Sequence, residues 1–150
     1  MSETKDKIKV LFVCMGNSCR SQMAEGWARH LKSDVIEAHS AGIHPTGVNP
    51  SAIKVMAEAG VDISGHTSKH IDTLEGVDFD YVVTLCDYAS GQCPTFPRRT
   101  KHMHRAFADP SFMNGSEEET MAAFRMLRDD IRAFIETMPE SLKERKPLGD

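Results

Sequence analysis

The stretch from residue 13 to residue 21, Val-Cys-Met-Gly-Asn-Ser-Cys-Arg-Ser, has the residue types and the spacing of a catalytic loop. Cys14 and Arg20 bracket five residues, between an apolar, strand-like run and a helix-like run. Such a loop aims several backbone N–H groups into one concavity, where the helix dipole adds partial positive charge. This field binds an anion and favours the thiolate over the thiol. The sequence therefore predicts that Cys14 is a nucleophile that works at neutral pH.

Several residues of this loop suit an oxyanion. Arg20 offers a planar fork of donors that matches two oxygens of a tetrahedral anion. Gly16 lets the backbone approach closely, and Asn17 tolerates the left-handed conformation that a tight loop often needs. Ser21 is placed to donate a hydrogen bond to the sulfur of Cys14. The predicted anion-binding residues are Met15, Gly16, Asn17, Ser18, Cys19 and Arg20.

A second pair of thiols, Cys86 and Cys93, follows a strongly apolar run. Reducing an oxyanion takes two electrons from two thiols, whereas hydrolysis of a phosphate ester needs one thiolate. Seven extended residues span roughly 24 Å, so the segment has to fold back to bring two Cα atoms within the roughly 6 Å of a disulfide. Gly91 and the lack of apolar periodicity favour such folding. The pair indicates a reductase, unless Cys86 merely packs at a strand end and Cys93 is incidental.

The elements that position these residues alternate between strands and helices. This alternation predicts an α/β fold with a doubly wound, parallel, four-stranded sheet flanked by helices. Ligands of such sheets bind beyond the carboxyl ends of the strands, where Cys14, Cys86 and Asp109 all fall. Ser116 and Glu119 predict a capping box for the last long helix. The predicted strands are residues 8–13, 35–41, 81–85 and 102–107, and the predicted helices are residues 21–31, 50–58 and 117–138.

The composition favours one soluble catalytic domain over residues 1–150. The chain is 40% hydrophobic and 27% charged, and its charged N-terminus leads into a strand without a secretory apolar region. We therefore expect a cytoplasmic monomer that does not enter a membrane, in which the four cysteines serve redox chemistry rather than structural disulfides. The net charge of −4 argues against nucleic acid as a partner. The charged tail, residues 139–150, is expected to fray.

Taken together, four motifs resemble the low-molecular-weight protein tyrosine phosphatase family and, within it, the thioredoxin-coupled arsenate reductases. The resemblance covers nearly the whole chain and implies the low-molecular-weight phosphatase fold. It also implies reduction of arsenate to arsenite in arsenic detoxification, with thioredoxin as the external reductant and no bound cofactor. The motifs are Cys14-Met-Gly-Asn-Ser-Cys19-Arg20-Ser21, His39-Ser-Ala-Gly42, Thr84-Leu-Cys86 followed by Cys93-Pro94, and Asp109-Pro110.

The resemblance implies a relay of three cysteines. Cys14 attacks arsenate while Asp109 protonates the departing oxygen, Cys86 then attacks the Cys14 sulfur, and Cys93 attacks Cys86. Thioredoxin reduces the resulting Cys86–Cys93 disulfide. Taken alone, the Asp109-Pro110 dipeptide is typical of a turn. Beside the Cys14 loop it matches the general acid of the family, with Pro110 holding the preceding residue extended.

Residues 67–69 depart from the family pattern. Reductases of this family that bind potassium carry an aspartate at the third position, beside residues matching Asn17, Glu25 and Ser40, whereas this chain has Lys69. A potassium site is therefore doubtful, and we expect the Lys69 ammonium to take the place of the cation and to support the loop through Glu25 or Asn17. The alternative is a solvated lysine. The seven histidines lie outside the usual zinc motifs, so no metal site is predicted.

Two other functions stay open. A protein tyrosine phosphatase of the same family would use Cys14, Arg20 and Asp109 and leave the second thiol pair idle. It would, however, carry aromatic residues just after the Asp-Pro, where this chain has Ser111 and then Phe112. Residual phosphatase activity is expected in any case. A thiol redox sensor that docks another protein is the alternative outside the enzymes. Cys19 is either a second redox thiol or, as we expect, a loop residue whose N–H binds the anion.

Overall fold

A four-stranded parallel sheet forms the centre of the protein. The computed structural model describes residues 7–74, 76–85, 100–108, 110 and 115–144. Along the chain the elements are β1 (Ile8–Cys14), α1 (Arg20–Leu31), β2 (Ile36–Gly42), α2 (Pro50–Glu58), a 3-10 helix (Ile71–Leu74), β3 (Tyr81–Thr84), β4 (Lys101–His104), α3 (Glu117–Glu136) and α4 (Glu140–Glu144). All pairs in the sheet are parallel, and the strand order is β2-β1-β3-β4.

This strand order sets the place of the site. From β1 the chain moves outward to β2 on one side, and β3 and β4 lie on the other side. The carboxyl end of β1 is therefore the point at which the strand order reverses, and ligands of open α/β sheets bind at such a point. Cys14 is the last residue of β1, where it pairs with Gly42 at the end of β2. The predicted nucleophile thus lies at the switch point of the sheet.

Apolar side chains of the strands and helices form one core. The central part of β1, from Val10 to Val13, is completely buried, as a strand covered on both faces requires. Helix α1 contacts β1, β2 and α3, and α2 packs against α3. Five predicted side chains of α3 are buried, namely Met121, Phe124, Leu127, Ile131 and Ile135. The predicted capping box of Ser116 and Glu119 is present as well.

The boundaries of β1, α1, β2 and β3 differ from the prediction by one residue, and the larger differences lie in the second half of the chain. The fourth strand was predicted over residues 102–107, but β4 begins at Lys101 and ends at His104, because it pairs with the four residues of β3. Helix α3 ends at Glu136 rather than at residue 138. The tail was expected to fray from residue 139, yet α4 forms over Glu140–Glu144 and its Leu142 is completely buried. The 3-10 helix was not predicted. None of the helices in the described ranges is long and apolar enough to cross a membrane.

Candidate active site

The loop between β1 and α1 curls around the Cys14 thiol. The four consecutive carbonyl groups of residues 15–18 accept hydrogen bonds from donors that lie outside the loop. Three of them accept hydrogen bonds from backbone N–H groups of the segment after β2: Met15 from His44 (2.8 Å), Gly16 from Thr46 (3.0 Å) and Ser18 from Asn49 (2.9 Å). The fourth carbonyl, of Asn17, accepts from the Gln22 side chain. Because the C=O and N–H of a trans peptide point in opposite directions, the N–H groups of residues 16–19 are turned toward the open side of the loop.

Two backbone features allow this curl. Asn17 has a φ of +46°, the left-handed conformation that the sequence predicted for it. Gly42 lies directly against the loop, and a Cβ at this position would come within 2.7 Å of the Asn17 nitrogen and 2.8 Å of the Met15 oxygen. Only glycine fits there without moving the loop. The glycine of the His39-Ser-Ala-Gly42 motif is therefore required for the close approach of β2.

A chain of hydrogen bonds ends at the sulfur of Cys14. The backbone N–H of Lys69 donates to Asn17 Oδ1 at 2.9 Å, which directs the Asn17 amide group toward Ser21. Asn17 Nδ2 then donates to Ser21 Oγ at 2.8 Å, and Ser21 Oγ lies 3.0 Å from Cys14 Sγ. Since Ser21 Oγ already accepts from Asn17, its own hydrogen is available to the sulfur. The predicted contact between Ser21 and Cys14 is present, and it stabilises a thiolate better than a thiol.

Arg20 begins helix α1 and is almost completely buried. Its Nη1 donates to the carbonyl oxygen of Phe107 at 3.1 Å, and the Phe107 N–H in turn donates to the carbonyl of Leu85 at 2.9 Å. The Phe107 backbone thus links the guanidinium to the end of β3. Leu85 immediately precedes Cys86, and Phe107 lies two residues before Asp109. Sequence reasoning did not single out Phe107, because a backbone carbonyl leaves no signal in the residue type.

The residues predicted to support the loop do come together, but Lys69 makes other contacts than expected. The Glu25 carboxylate accepts from Ser40 Oγ and pairs with Arg29 at 2.8 Å. The Lys69 ammonium donates instead to the carbonyl oxygens of Ser40 (3.3 Å) and Thr67 (3.0 Å). The positive charge of the side chain itself therefore lies on these two carbonyls. The expected contact with Asn17 is made by the Lys69 backbone rather than by its charge.

Cys19 closes the loop as the N-terminal cap residue of α1. It is buried, and its carbonyl accepts from the Met23 N–H at 2.8 Å. No side chain caps this end of the helix. The positive end of the α1 dipole points toward the loop, where it favours a bound anion.

Gln22 and His66 are polar residues of the site that sequence reasoning missed. Gln22 is completely buried, and its Nε2 donates to the carbonyls of Asn17 (3.1 Å) and Thr67 (3.0 Å). His66 Nδ1 lies 2.9 Å from Gln22 Oε1. Desolvation lowers the pKa of His66, so the ring is neutral at neutral pH. A glutamine between Ser21 and Met23 gave no sign of this role, because helical periodicity does not distinguish a buried amide from an exposed one.

Three predicted site residues, Cys86, Cys93 and Asp109, lie outside the described residues. Their approach to Cys14 therefore remains a prediction. In the described part of the chain, no group of three or more His, Cys, Asp or Glu side chains could hold a metal ion. The described geometry amounts to a buried thiol inside a cradle of N–H donors and a guanidinium, which suits nucleophilic attack on a tetrahedral oxyanion.

The chain is similar to known proteins over most of its length. The sequence profile of the family "Low molecular weight phosphotyrosine protein phosphatase" matches residues 9–148. An arsenate reductase of Halalkalibacterium halodurans is 46% identical over 138 residues, which cover 92% of this chain and 99% of the relative.

Two solved structures show the same fold. One is described as an arsenate reductase in the phosphate binding state; it has a TM-score of 0.72 and 34% identity, with 89% of this chain and 98% of that chain covered. The other, a low molecular weight protein tyrosine phosphatase from T. tengcongensis, has a TM-score of 0.69 and 25% identity, with 90% and 99% covered. The predicted four-stranded α/β fold is confirmed.

Proposed function

Because the chain belongs to the low molecular weight phosphotyrosine protein phosphatase family, we propose that it uses the shared loop to reduce arsenate to arsenite. The observation that carries the proposal is the loop of residues 14–20, in which four carbonyls are held outward around a buried thiol. Arsenate and phosphate are both tetrahedral oxyanions, and a similar solved structure is described as an arsenate reductase in the phosphate binding state. The 46% identity to an arsenate reductase favours arsenate as the substrate.

In the first step, the Cys14 thiolate attacks arsenic. An S–As bond forms, an As–O bond breaks, and the departing oxygen takes a proton from Asp109 and leaves as water. Arg20 and the N–H groups of the loop bind the remaining oxygens and stabilise the charge that develops on them. Ser21 Oγ, 3.0 Å from the sulfur, donates a hydrogen bond to the attacking thiolate. Arsenic is still in its higher oxidation state after this step.

The second step moves the electrons. The Cys86 thiolate attacks the Cys14 sulfur, an S–S bond forms, and the S–As bond breaks with its electron pair going to arsenic, which leaves as arsenite. Cys93 then attacks the Cys86 sulfur and releases the Cys14 thiolate, leaving a Cys86–Cys93 disulfide. Thioredoxin, a dithiol protein, reduces this disulfide by the same exchange. The thiols must start reduced, so we place the protein in the cytoplasm, where such pools keep them so.

Lys69 takes the structural place of a cation beside the loop. Its ammonium bridges the carbonyls of Ser40 and Thr67, while its backbone N–H orients the Asn17 side chain. A covalently attached charge cannot dissociate, so the loop keeps its support at any potassium concentration. We further propose that the protein works without a bound cofactor and that thioredoxin is its external partner.

A coupled assay tests the function. Purified protein is mixed with thioredoxin, thioredoxin reductase and NADPH, and NADPH oxidation is followed with and without arsenate. We expect arsenate-dependent oxidation that disappears in Cys14→Ser and in Cys86→Ser. Full steady-state activity of Cys93→Ser would contradict the three-cysteine relay.

Phosphatase activity is the second candidate, because the family profile and the solved phosphatase share this fold. Hydrolysis of an aryl phosphate is measured on the same preparations. We expect slow hydrolysis that needs Cys14 and is insensitive to Cys86→Ser. Rapid hydrolysis without any response to arsenate would identify a phosphatase and overturn the reductase assignment.

A further inference from the structure

Gln22 is a buried polar residue that the proposed chemistry does not use. It is the third residue of α1, directly after Ser21, and no part of it is exposed. Burying an amide in a protein interior costs free energy unless its polar atoms are hydrogen-bonded. All of its bonds lead toward the loop or to the segment of residues 66–67 that lies beside it.

The three contacts of the Gln22 amide fix its orientation. Nε2 uses its two hydrogens on the carbonyls of Asn17 and Thr67. Oε1 is then an acceptor, so His66 Nδ1, 2.9 Å away, carries a hydrogen and donates it. His66 thus fixes the orientation of the Gln22 amide, so that Nε2 rather than Oε1 faces the Asn17 carbonyl.

The Asn17 carbonyl belongs to the peptide unit that carries the Ser18 N–H. Its three neighbours in the loop are held by backbone donors of residues 44–49, whereas this peptide is held by the Gln22 side chain. Asn17 is also the residue with the left-handed φ of +46°, a conformation that a non-glycine residue keeps only with support. The Asn17 side chain, in turn, orients Ser21 toward the Cys14 sulfur.

We propose that Gln22 is a positioning residue of the anion-binding loop: through its bond to the Asn17 carbonyl it keeps the Ser18 N–H turned toward the bound oxyanion and the Asn17 side chain in line with Ser21. The inference rests on the proposed function only in so far as the loop binds an oxyanion. Gln22 thereby raises the affinity of the loop for an oxyanion and stabilises the Cys14 thiolate, although it does not touch the reacting atoms.

Substitution of Gln22→Met tests this role, because methionine has a similar shape and no donor. Binding of inorganic phosphate is measured by calorimetry, and thiolate formation by the ultraviolet absorbance of Cys14 across a pH titration. We expect phosphate to bind about tenfold more weakly, the size of one hydrogen bond to a charged group. We also expect the midpoint of thiolate formation to move to higher pH, since Ser21 is less well oriented.

Thr100→Val is the matched control. Thr100 is buried just before β4, and its hydroxyl donates to the Phe79 carbonyl at 2.8 Å; it lies at the amino ends of the parallel strands, whereas the loop lies at their carboxyl ends. This variant also loses one buried hydrogen bond, so it should lower the melting temperature while leaving phosphate binding and the thiolate midpoint unchanged. Wild-type phosphate affinity and midpoint in Gln22→Met, with a melting temperature lowered as in the control, would reduce Gln22 to a structural residue and overturn the proposal.

A pair of His66 variants tests the same idea without altering Gln22. In His66→Asn, the side-chain Nδ2 can replace Nδ1 as the donor, so phosphate binding should remain near that of the wild type. In His66→Leu, Gln22 Oε1 loses its donor and the amide is free to turn, so binding should weaken severalfold. Equal phosphate affinity of the two variants would contradict the inference even if Gln22→Met does not fold. Because phosphate binding needs no turnover, these results are independent of whether arsenate is the substrate.

Discussion

The two helices α1 and α3 begin in opposite ways. At the start of α3, the Ser116 side chain accepts from the Glu119 N–H, the Glu119 side chain accepts from the Ser116 N–H, and residues 117–119 are all acidic. At the start of α1, Cys19 provides no side-chain cap and the first turn has no acidic residue. The capping box and the acidic residues thus compensate the N–H groups and the dipole of α3, whereas the dipole of α1 is not offset by acidic residues of its own first turn.

The two helices also differ in the kind of residue that they bury. Helix α3 is amphipathic, with a buried apolar stripe and an exposed polar face. In α1 all residues from Arg20 to Ala28 are buried, and four of them, Arg20, Ser21, Gln22 and Glu25, are polar or charged. Ser21 and Gln22 contact loop residues, and Glu25 accepts from Ser40, while Arg20 is the last residue of the loop and donates to the Phe107 carbonyl. Helix α3 mainly stabilises the fold, whereas the first turns of α1 build the site.

Of the substitutions in the two helices, removal of Arg20 from α1 should lower the activity most. In Arg20→Ala the loop loses its charged donor fork, and we expect kcat/KM for arsenate to fall by about a thousandfold, as for the loss of a main oxyanion donor. Arg20→Lys keeps the charge but not the fork, and should recover no more than about tenfold of that loss. Steady-state kinetics in the thioredoxin-coupled assay measure both. Full activity of the lysine variant would mean that charge alone matters at this position.

Ser21→Ala should have a smaller effect on the same helix. The variant removes the donor to the Cys14 sulfur, so we expect kcat/KM to fall by about tenfold. The loss should shrink as the pH rises, because the thiolate then forms without help. A pH profile of kcat/KM checks this, and a loss that is equal at every pH would contradict the stabilisation of the thiolate by Ser21.

Ser116→Ala breaks the cap of α3 and tests the other half of the comparison. A lost N-terminal cap costs about 1 kcal/mol of stability, which lowers the Tm of a protein of this size by about 3 °C. Turnover of arsenate at 25 °C should stay at the wild-type value, since α3 contributes no side chain to the described loop. Thermal unfolding followed by circular dichroism gives the Tm, and a large loss of turnover would show that α3 also positions the site.

Potassium should have the smallest effect. Because the Lys69 ammonium already lies on the carbonyls of Ser40 and Thr67, replacing sodium by potassium at constant ionic strength should leave kcat/KM unchanged. Initial rates in matched chloride buffers measure this. A severalfold activation by potassium would count against the role of Lys69 as a tethered cation.

Much of the site was predictable from local sequence, because loop chemistry depends on residue type and spacing. The left-handed Asn17 and the contact of Ser21 with Cys14 are present as predicted, whereas binding of an anion by the loop stays a prediction. The predicted partner of the Lys69 ammonium was wrong: Glu25 pairs with Arg29 from the adjacent turn of α1, and the ammonium donates to backbone carbonyls. Such competition between partners depends on distances that the sequence does not contain.

In the fold, too, features set by neighbouring residues were predicted and features set by distant contacts were missed. Proline, capping residues and the apolar stripe marked α2 and the start of α3 correctly, since these signals act within a few residues. The end of β4 and the helix in the tail were missed, because the length of β4 is set by its partner β3 and Leu142 is buried by contacts distant in sequence.

The sequence by itself determined the family, the parallel α/β architecture and the position of Cys14 at the start of a strand–loop–helix turn, since these follow from periodicity and from short motifs. Only the tertiary structure decided what holds the loop in place. The donors to its carbonyls come from residues 44–49 and from Gln22, the orientation of Gln22 from His66, and the partner of Arg20 from Phe107. Most of these contacts join segments far apart in the chain, and a hydrogen bond depends on distances that are fixed only when the sheet has formed.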